Sequence, residues 1–144
     1  MEKRDKSIGF LFSDIARFRG IIFENLMRPH GLTHAQAYVL NQLFLEDGLT
    51  QTELAARMQV GTVTVSGLVD RLETRGWVKR SADARDRRAK TVWLCEAGQG
   101  LLTHMVKEFT TMNNISVEGL SEDEVVEMTR MLRKVRSNLA AKVP

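Results

Sequence analysis

Residues 50–95 read TQTELAARMQVGTVTVSGLVDRLETRGWVKRSADARDRRAKTVWLC, and this stretch restricts the fold more tightly than any other. Thr50 and Glu53 carry the start signal of a capping box, in which hydroxyl and carboxylate each satisfy a free helix N–H. The short helix they open turns Leu54, Ala55 and Met58 inward and runs into the turn Gln59-Val60-Gly61. A second helix follows from about Thr62 to Arg75, with Val65, Leu68, Val69 and Leu72 on one face and Gly76 closing it. Its first turn, Thr62-Val63-Thr64-Val65-Ser66-Gly67, is poor in intrinsic helix formers, which suits an end that must slide close to another surface. Trp77–Ser81 and Lys90–Cys95 read as two strands, Val92 and Leu94 alternating with Thr91 and Trp93. The polar loop between them, Ala82 to Ala89, is longer than a simple hairpin connection and is of the kind that carries function.

Charge gathers in the same place. Residues 71–90 hold eight Lys/Arg (Arg71, Arg75, Lys79, Arg80, Arg85, Arg87, Arg88, Lys90) against Glu73, Asp83 and Asp86, a local balance of +5. The whole chain carries only +3, so everything outside that segment sums to −2. A compact basic feature beside a helix–turn–helix pattern points to double-stranded DNA as the partner.

The flanks are helical. Ile8, Leu11, Ile15, Phe18, Ile22 and Leu26 step by three or four, one face of a helix that Arg28-Pro29-His30-Gly31 ends. Thr33 and Gln36 open the next, with Val39, Leu40, Leu43 and Phe44 as core candidates, and Asp47-Gly48 stops it. After Glu96-Ala97-Gly98, Leu102, Met105, Phe109 and Met112 mark a fifth helix. Ser121 and Glu124 cap a sixth bearing Val125, Met128, Leu132, Val135 and Leu139, the narrow seam of helices packed along their length. Matching seams at the two ends, with no partner in so small a domain, imply a two-fold homodimer. The expected fold class is therefore mainly α with a small β-hairpin wing: a winged helix–turn–helix over residues 33–95, with dimerisation helices in 1–30 and 96–144. At 144 residues and 43% hydrophobic the chain can build a real core. Its one cysteine, Cys95, permits no internal disulfide, and no apolar run reaches membrane-spanning length, so a cytoplasmic, nucleoid-associated protein is expected.

The local text carries a resemblance. Leu54-Ala55, then Val65-Ser66-Gly67-Leu68-Val69-Asp70-Arg71-Leu72-Glu73, then Arg75-Gly76, and above all Asp83-Ala84-Arg85-Asp86-Arg87-Arg88-Ala89 resemble the MarR family of winged-helix transcription regulators. Leu94-Cys95-Glu96-Ala97-Gly98 is similar to that family's Leu-Thr-Glu-x-Gly, with Cys95 in place of the hydroxyl residue. The resemblance spans essentially the whole chain. It implies a homodimer that binds a pseudo-palindromic operator, usually as a repressor, and in many members a small anionic or aromatic effector, or oxidation, that weakens binding.

Roles can then be assigned. In a helix–turn–helix the second helix enters the major groove, where Thr62, Thr64 and Ser66 can exchange hydrogen bonds with base edges and Val63 can touch a thymine methyl. Arg87 or Arg88, with Arg85 beside them, can enter the minor groove from the loop, and Asp86 is expected to brace a neighbouring arginine. Arg71, Arg75 and Arg80 fit either phosphate contacts or internal ion pairs. Many relatives carry a long polar side chain where this chain has Gly67, so the operator sequence does not transfer by analogy. An effector pocket is expected where the end helices meet the reading head, lined by Phe12, Phe18, Phe23, His30, Tyr38 and Trp93. His104 and Glu108 stand i, i+4 on one helix and raise a metal-responsive alternative alongside His30 and His34, yet the set is sparse, and neither metal nor cofactor is expected. Cys95 fits an inert strand-end thiol better than a redox sensor. No phosphate loop, nucleophile elbow or acid–base pair suggests an enzyme. The rival from another class is a winged-helix protein–protein adaptor whose wing binds an acidic partner.

Overall fold

The computed structural model describes residues 7–143, so the first six residues and Pro144, at the outer limits of the expected dimerisation region, lie outside it. Ten elements follow in order: α1 (Ile8–Met27), a 3-10 turn (Arg28–His30), α2 (His34–Leu45), β1 (Leu49–Thr50), α3 (Gln51–Met58), α4 (Thr62–Thr74), β2 (Val78–Ala82), β3 (Lys90–Leu94), α5 (Glu96–Ser116) and α6 (Glu122–Ala140). The chain divides into two compact units, Met1–Met112 and Asn113–Pro144.

Three helices open on the expected capping boxes. Thr33 with Gln36, Thr50 with Glu53, and Ser121 with Glu124 each make both reciprocal bonds, satisfying N–H groups that a helix start leaves without intrahelical partners. α4 differs. Its N-cap is Gly61, with no side-chain cap.

In the first unit, α2, α3 and α4 close on a core of Val39, Leu40, Leu43, Leu54, Ala55, Val65, Leu68, Val69 and Leu72. Met58 only packs at its edge, and Phe44, expected inside, is 57% exposed. Phe44 stands four residues after Leu40 and so on the same stripe, but it lies in the last turn of α2, where Leu45 is exposed as well. α1 joins this core through Phe23 and Met27, with Ile22 and Leu26 packed against it, while its first half leaves Ile8, Leu11, Ile15 and Phe18 exposed. α5 contributes Leu102, Met105 and Met112, with Phe109 at the margin. The approach of α5 is close, because a Cβ on Gly98 would collide with the main-chain carbonyl of Trp77.

The wing is a three-stranded antiparallel sheet in the order β1-β3-β2, where two strands were expected. Leu49 pairs with Val92 and Thr50 with Thr91, so β3 becomes the central strand. That explains why Thr91 is buried together with Val92, against the expected alternation. Its hydroxyl donates to the Ser81 carbonyl at 3.2 Å and accepts from the Trp93 indole N–H at 2.9 Å. β2 begins at Val78 and β3 ends at Leu94, leaving Trp77 and Cys95 just outside, joined by a 2.9 Å bond from the Cys95 N–H to the Trp77 carbonyl. The second unit carries α6, none of whose residues is buried. No helix among the described residues is long and apolar enough to cross a membrane.

Candidate nucleic-acid interface

The exposed end of α4 is built by contrast with its buried stripe. Val65, Leu68, Val69 and Leu72 fix the helix from below, so Thr62, Val63 and Thr64 are carried outward, Val63 being 85% exposed. An uncapped N-terminus leaves main-chain N–H groups and the positive end of the helix dipole on that surface. A Cβ on Gly67 would meet open space, so internal packing does not demand glycine there.

The six arginines of 71–90 separate into two sets. Arg75 is exposed yet engaged within the chain: its guanidinium donates to the Gly31 carbonyl and lies 3.8 Å from the Trp77 ring centroid. Gly31 has φ +70°, and a Cβ there would run into that guanidinium, so glycine meets both demands. Arg80 is engaged within the chain too, with ion pairs to Asp70 at 2.7 Å and Glu73 at 3.3 Å. Arg85 is almost fully exposed, 4.0 Å from Asp83. Arg71, Arg87 and Arg88 project into solvent, and their guanidinium groups meet no carboxylate among the described residues. Of the three arginines left open between phosphate contact and ion pair, only Arg80 makes ion pairs among the described residues, Arg75 engages a carbonyl and a ring, and Arg71 meets neither.

The loop backbone is held by its own carboxylates. Asp83 Oδ1 accepts from the Arg85 N–H at 2.8 Å, and Asp86 Oδ1 accepts from the Arg88 N–H at 2.9 Å. Main-chain bonds from Asp83 to Ala89 and from Ala89 to Asp86, each 3.0 Å, close it. Asp86 therefore braces the main chain of Arg88 rather than a guanidinium, shaping the turn instead of aiming the charge. Between α4 and the wing runs a polar cleft lined by Thr62 and Ser66 from α4 and by Arg88 and Lys90 from the wing. Glu53 at the start of α3 has its carboxyl held below the usual glutamate range, first by the Thr50 N–H it accepts and then by the Thr50 hydroxyl.

The main pockets among the described residues do not bring together the six residues expected to line one effector pocket. Phe12 and Phe18 are exposed on the first half of α1, with the Arg17 guanidinium 4.3 Å from the Phe18 ring. The Tyr38 hydroxyl donates to the Arg57 carbonyl at 3.1 Å. Trp93 lies on the outer side of the wing beside Glu46 and Asp47. His30 sits 3.2 Å from Glu108 and stacks on His104 at 5.0 Å between centroids. Only Phe23 borders a pocket near the end helices, shared with Arg19, His34, Phe109 and Met112. There Phe23 meets the His34 ring at 5.1 Å and the Phe109 ring at 4.7 Å. Helical spacing places a side chain on a face without saying which faces meet. Among the described residues no group of three or more potential ligands could hold a metal. His34 lies against Phe23, apart from the His30–His104–Glu108 contact. Cys95 is half-buried. Sequence reading grouped His30 with Glu108 only as a metal alternative, and it missed the engagement of Gln51 with Arg80 at 2.7 Å; separations of 78 and 29 residues leave no local pattern for either contact.

Comparison with known proteins agrees with this geometry. The sequence profile of the MarR family matches residues 30–89. The chain is 30% identical to the transcriptional regulator TtmR of Methylorubrum extorquens, over 96% of this chain and 70% of that one. The MepR–DNA complex of S. aureus superposes with a TM-score of 0.79 at 30% identity, covering 92% of this chain and 98% of MepR. BpsR of Bordetella bronchiseptica, whose DNA binding is regulated by 6-hydroxynicotinic acid, superposes with a TM-score of 0.78 at 27% identity, covering 91% and 94%.

Proposed function

Since the chain belongs to the MarR family of transcription regulators, with a DNA-binding winged helix and not an enzyme's fold, we propose that it acts as a homodimeric repressor on a pseudo-palindromic operator. Thr62, Val63, Thr64 and Ser66 address the major groove, and Arg87 and Arg88, flanked by Arg85, address the minor groove. Arg71 takes a phosphate. The observation that carries this reading is the single cleft bordered by Thr62 and Ser66 on one wall and Arg88 and Lys90 on the other. The exposed apolar residues Ile8, Leu11, Ile15 and Phe18 of α1 support a second copy as the cover of that face, as does the unburied seam of α6. A two-fold axis then sets two heads on successive turns of one duplex.

A small effector is a second element of the proposal. The pocket with Phe23 and Phe109 as apolar walls and Arg19 and His34 among its lining suits a planar aromatic anion, the class to which BpsR's 6-hydroxynicotinic acid belongs.

The test is selection of bound duplexes from genomic fragments, followed by titration of the winner across salt concentrations. We expect an inverted repeat with half-sites about 10 base pairs apart, and a log–log slope of about −0.9 for each phosphate contacted. Weak binding to every duplex, insensitive to salt, would instead support the adaptor reading.

A further inference from the structure

Arg80 stands at the middle of β2, with its side chain only 14% exposed. Every nitrogen of its guanidinium is engaged. Nε donates to Gln51 Oε1 at 2.7 Å, on the first turn of α3. Nη1 reaches Glu73 Oε1 at 3.3 Å. Nη2 reaches Asp70 Oδ1 at 2.7 Å, the Ser66 carbonyl at 3.0 Å and the Ser66 hydroxyl at 3.4 Å. Glu73 also accepts from the Arg80 main-chain N–H at 2.9 Å. Ser66, Asp70 and Glu73 are spaced by four and three, one stripe along α4. A single planar cation thus ties the wing to both helices of the helix–turn–helix.

The wing has need of such a tie. It is a hairpin whose third strand is two residues long, and a short sheet holds its own orientation weakly. At about 3.3 Å per residue, the loop tip at Asp86 lies up to about 20 Å beyond Arg80, so a pivot of about 10° would carry the tip about 3 Å. Recognition by preset side chains tolerates far less than that.

Resting on the regulator reading above, we infer that Arg80 is a positioning residue for operator recognition. Its guanidinium fixes the angle between wing and α4, and so the spacing at which Arg87 and Arg88 and the Thr62–Thr64 end meet one duplex. It borders the same cleft as Thr62, Ser66, Arg88 and Lys90, but with every nitrogen already engaged it acts through their placement rather than by contacting bases. A lysine cannot replace it, because one ammonium cannot span Gln51, Glu73 and Asp70 in three directions.

The experiment compares wild type, Arg80→Gln and Arg80→Lys as full chains, each bound to the selected operator and to a random duplex over a salt series. For both variants the ratio of specific to non-specific affinity should fall roughly tenfold, about the discrimination carried by one base pair. The salt slope should stay at the wild-type value, and amide exchange over residues 82–90 should quicken. Arg88→Ala should then cost less in the Arg80→Gln background than in wild type, since the two side chains act in series. An unchanged specificity ratio with intact wild-type binding overturns the inference alone. So does a slope reduced by about one, which would make Arg80 a phosphate ligand. A wild-type chain that binds no duplex overturns the regulator reading and this inference with it. If melting shows Arg80→Gln unfolded, Gln51→Ala and Asp70→Asn remove single arms of the network, and an unchanged ratio in both is equally fatal.

Discussion

α4 and α6 carry the same kind of text and meet opposite fates. Each places an apolar residue every three or four positions, yet Val65, Leu68, Val69 and Leu72 of α4 are all buried, whereas Val125, Met128, Leu132, Val135 and Leu139 of α6 are not. α1 repeats the contrast within one helix, buried at Phe23 and Met27 and open at Ile8, Leu11, Ile15 and Phe18. A periodic stripe declares that a face wants cover; it does not say who supplies it. The winged head supplies its own. The faces of α1 and α6 are left open, and the proposed homodimer would cover them.

Four measurements press on that contrast. Ile15→Glu and Leu132→Glu should have the largest effect. Each places a charge in the proposed seam twice over, costing about 3–6 kcal/mol of dimer stability and operator binding with it. Neither residue is buried in the single chain, at 53% and 46% exposed, so helix content should survive. Sedimentation showing an intact dimer in both variants would break the comparison. Leu72→Ala tests the self-sufficient side: the side chain is fully buried, and losing it should cost about 2–5 kcal/mol of unfolding free energy, read by denaturant titration. A loss below about 1 kcal/mol would mean the head is less well closed than it looks.

Arg88→Ala comes next, weakening operator binding by about 1–3 kcal/mol with dimer and melting temperature unchanged. Equal affinity in the variant would remove the wing from recognition. The smallest effect concerns Glu53, whose folded carboxyl titrates below the ordinary glutamate range. Its contribution is present above that range and is lost as pH falls through the lowered folded value. Glu53→Gln should keep the capping box, as Gln36 does at α2, and flatten that acid-side part of the stability curve. Identical pH profiles for the two proteins would show that the box contributes nothing through ionisation.

Much of this was legible beforehand, for local reasons. Capping boxes act over three residues, and all three formed as read, at Thr33, Thr50 and Ser121. The seam of α1 gave both of its ends, and the basic loop fell where its length and charge placed it. β1 was missed because two residues cannot express an alternation. The inward placing of Phe44 failed because helical spacing gives the face of a residue but not whether the core extends along the helix as far as its last turn. Within the interface, the charge count located the basic segment but could not divide it. Setting apart Arg75 and Arg80 as side chains engaged within the chain required seeing Gly31, Trp77, Asp70 and Glu73 around them.

The two aspartates of the wing loop have one more consequence. Fixing a residue's backbone costs about 1–2 kcal/mol of entropy, and a loop that orders only on contact incurs that cost during binding. Here Asp83 and Asp86 hold the turn while the protein is free, each through a bond to a main-chain N–H two residues on. The arginines therefore arrive on a finished frame. Capture of a duplex should be limited by diffusion and charge steering rather than by a folding step, and the time the protein stays on a site should report how well the site fits.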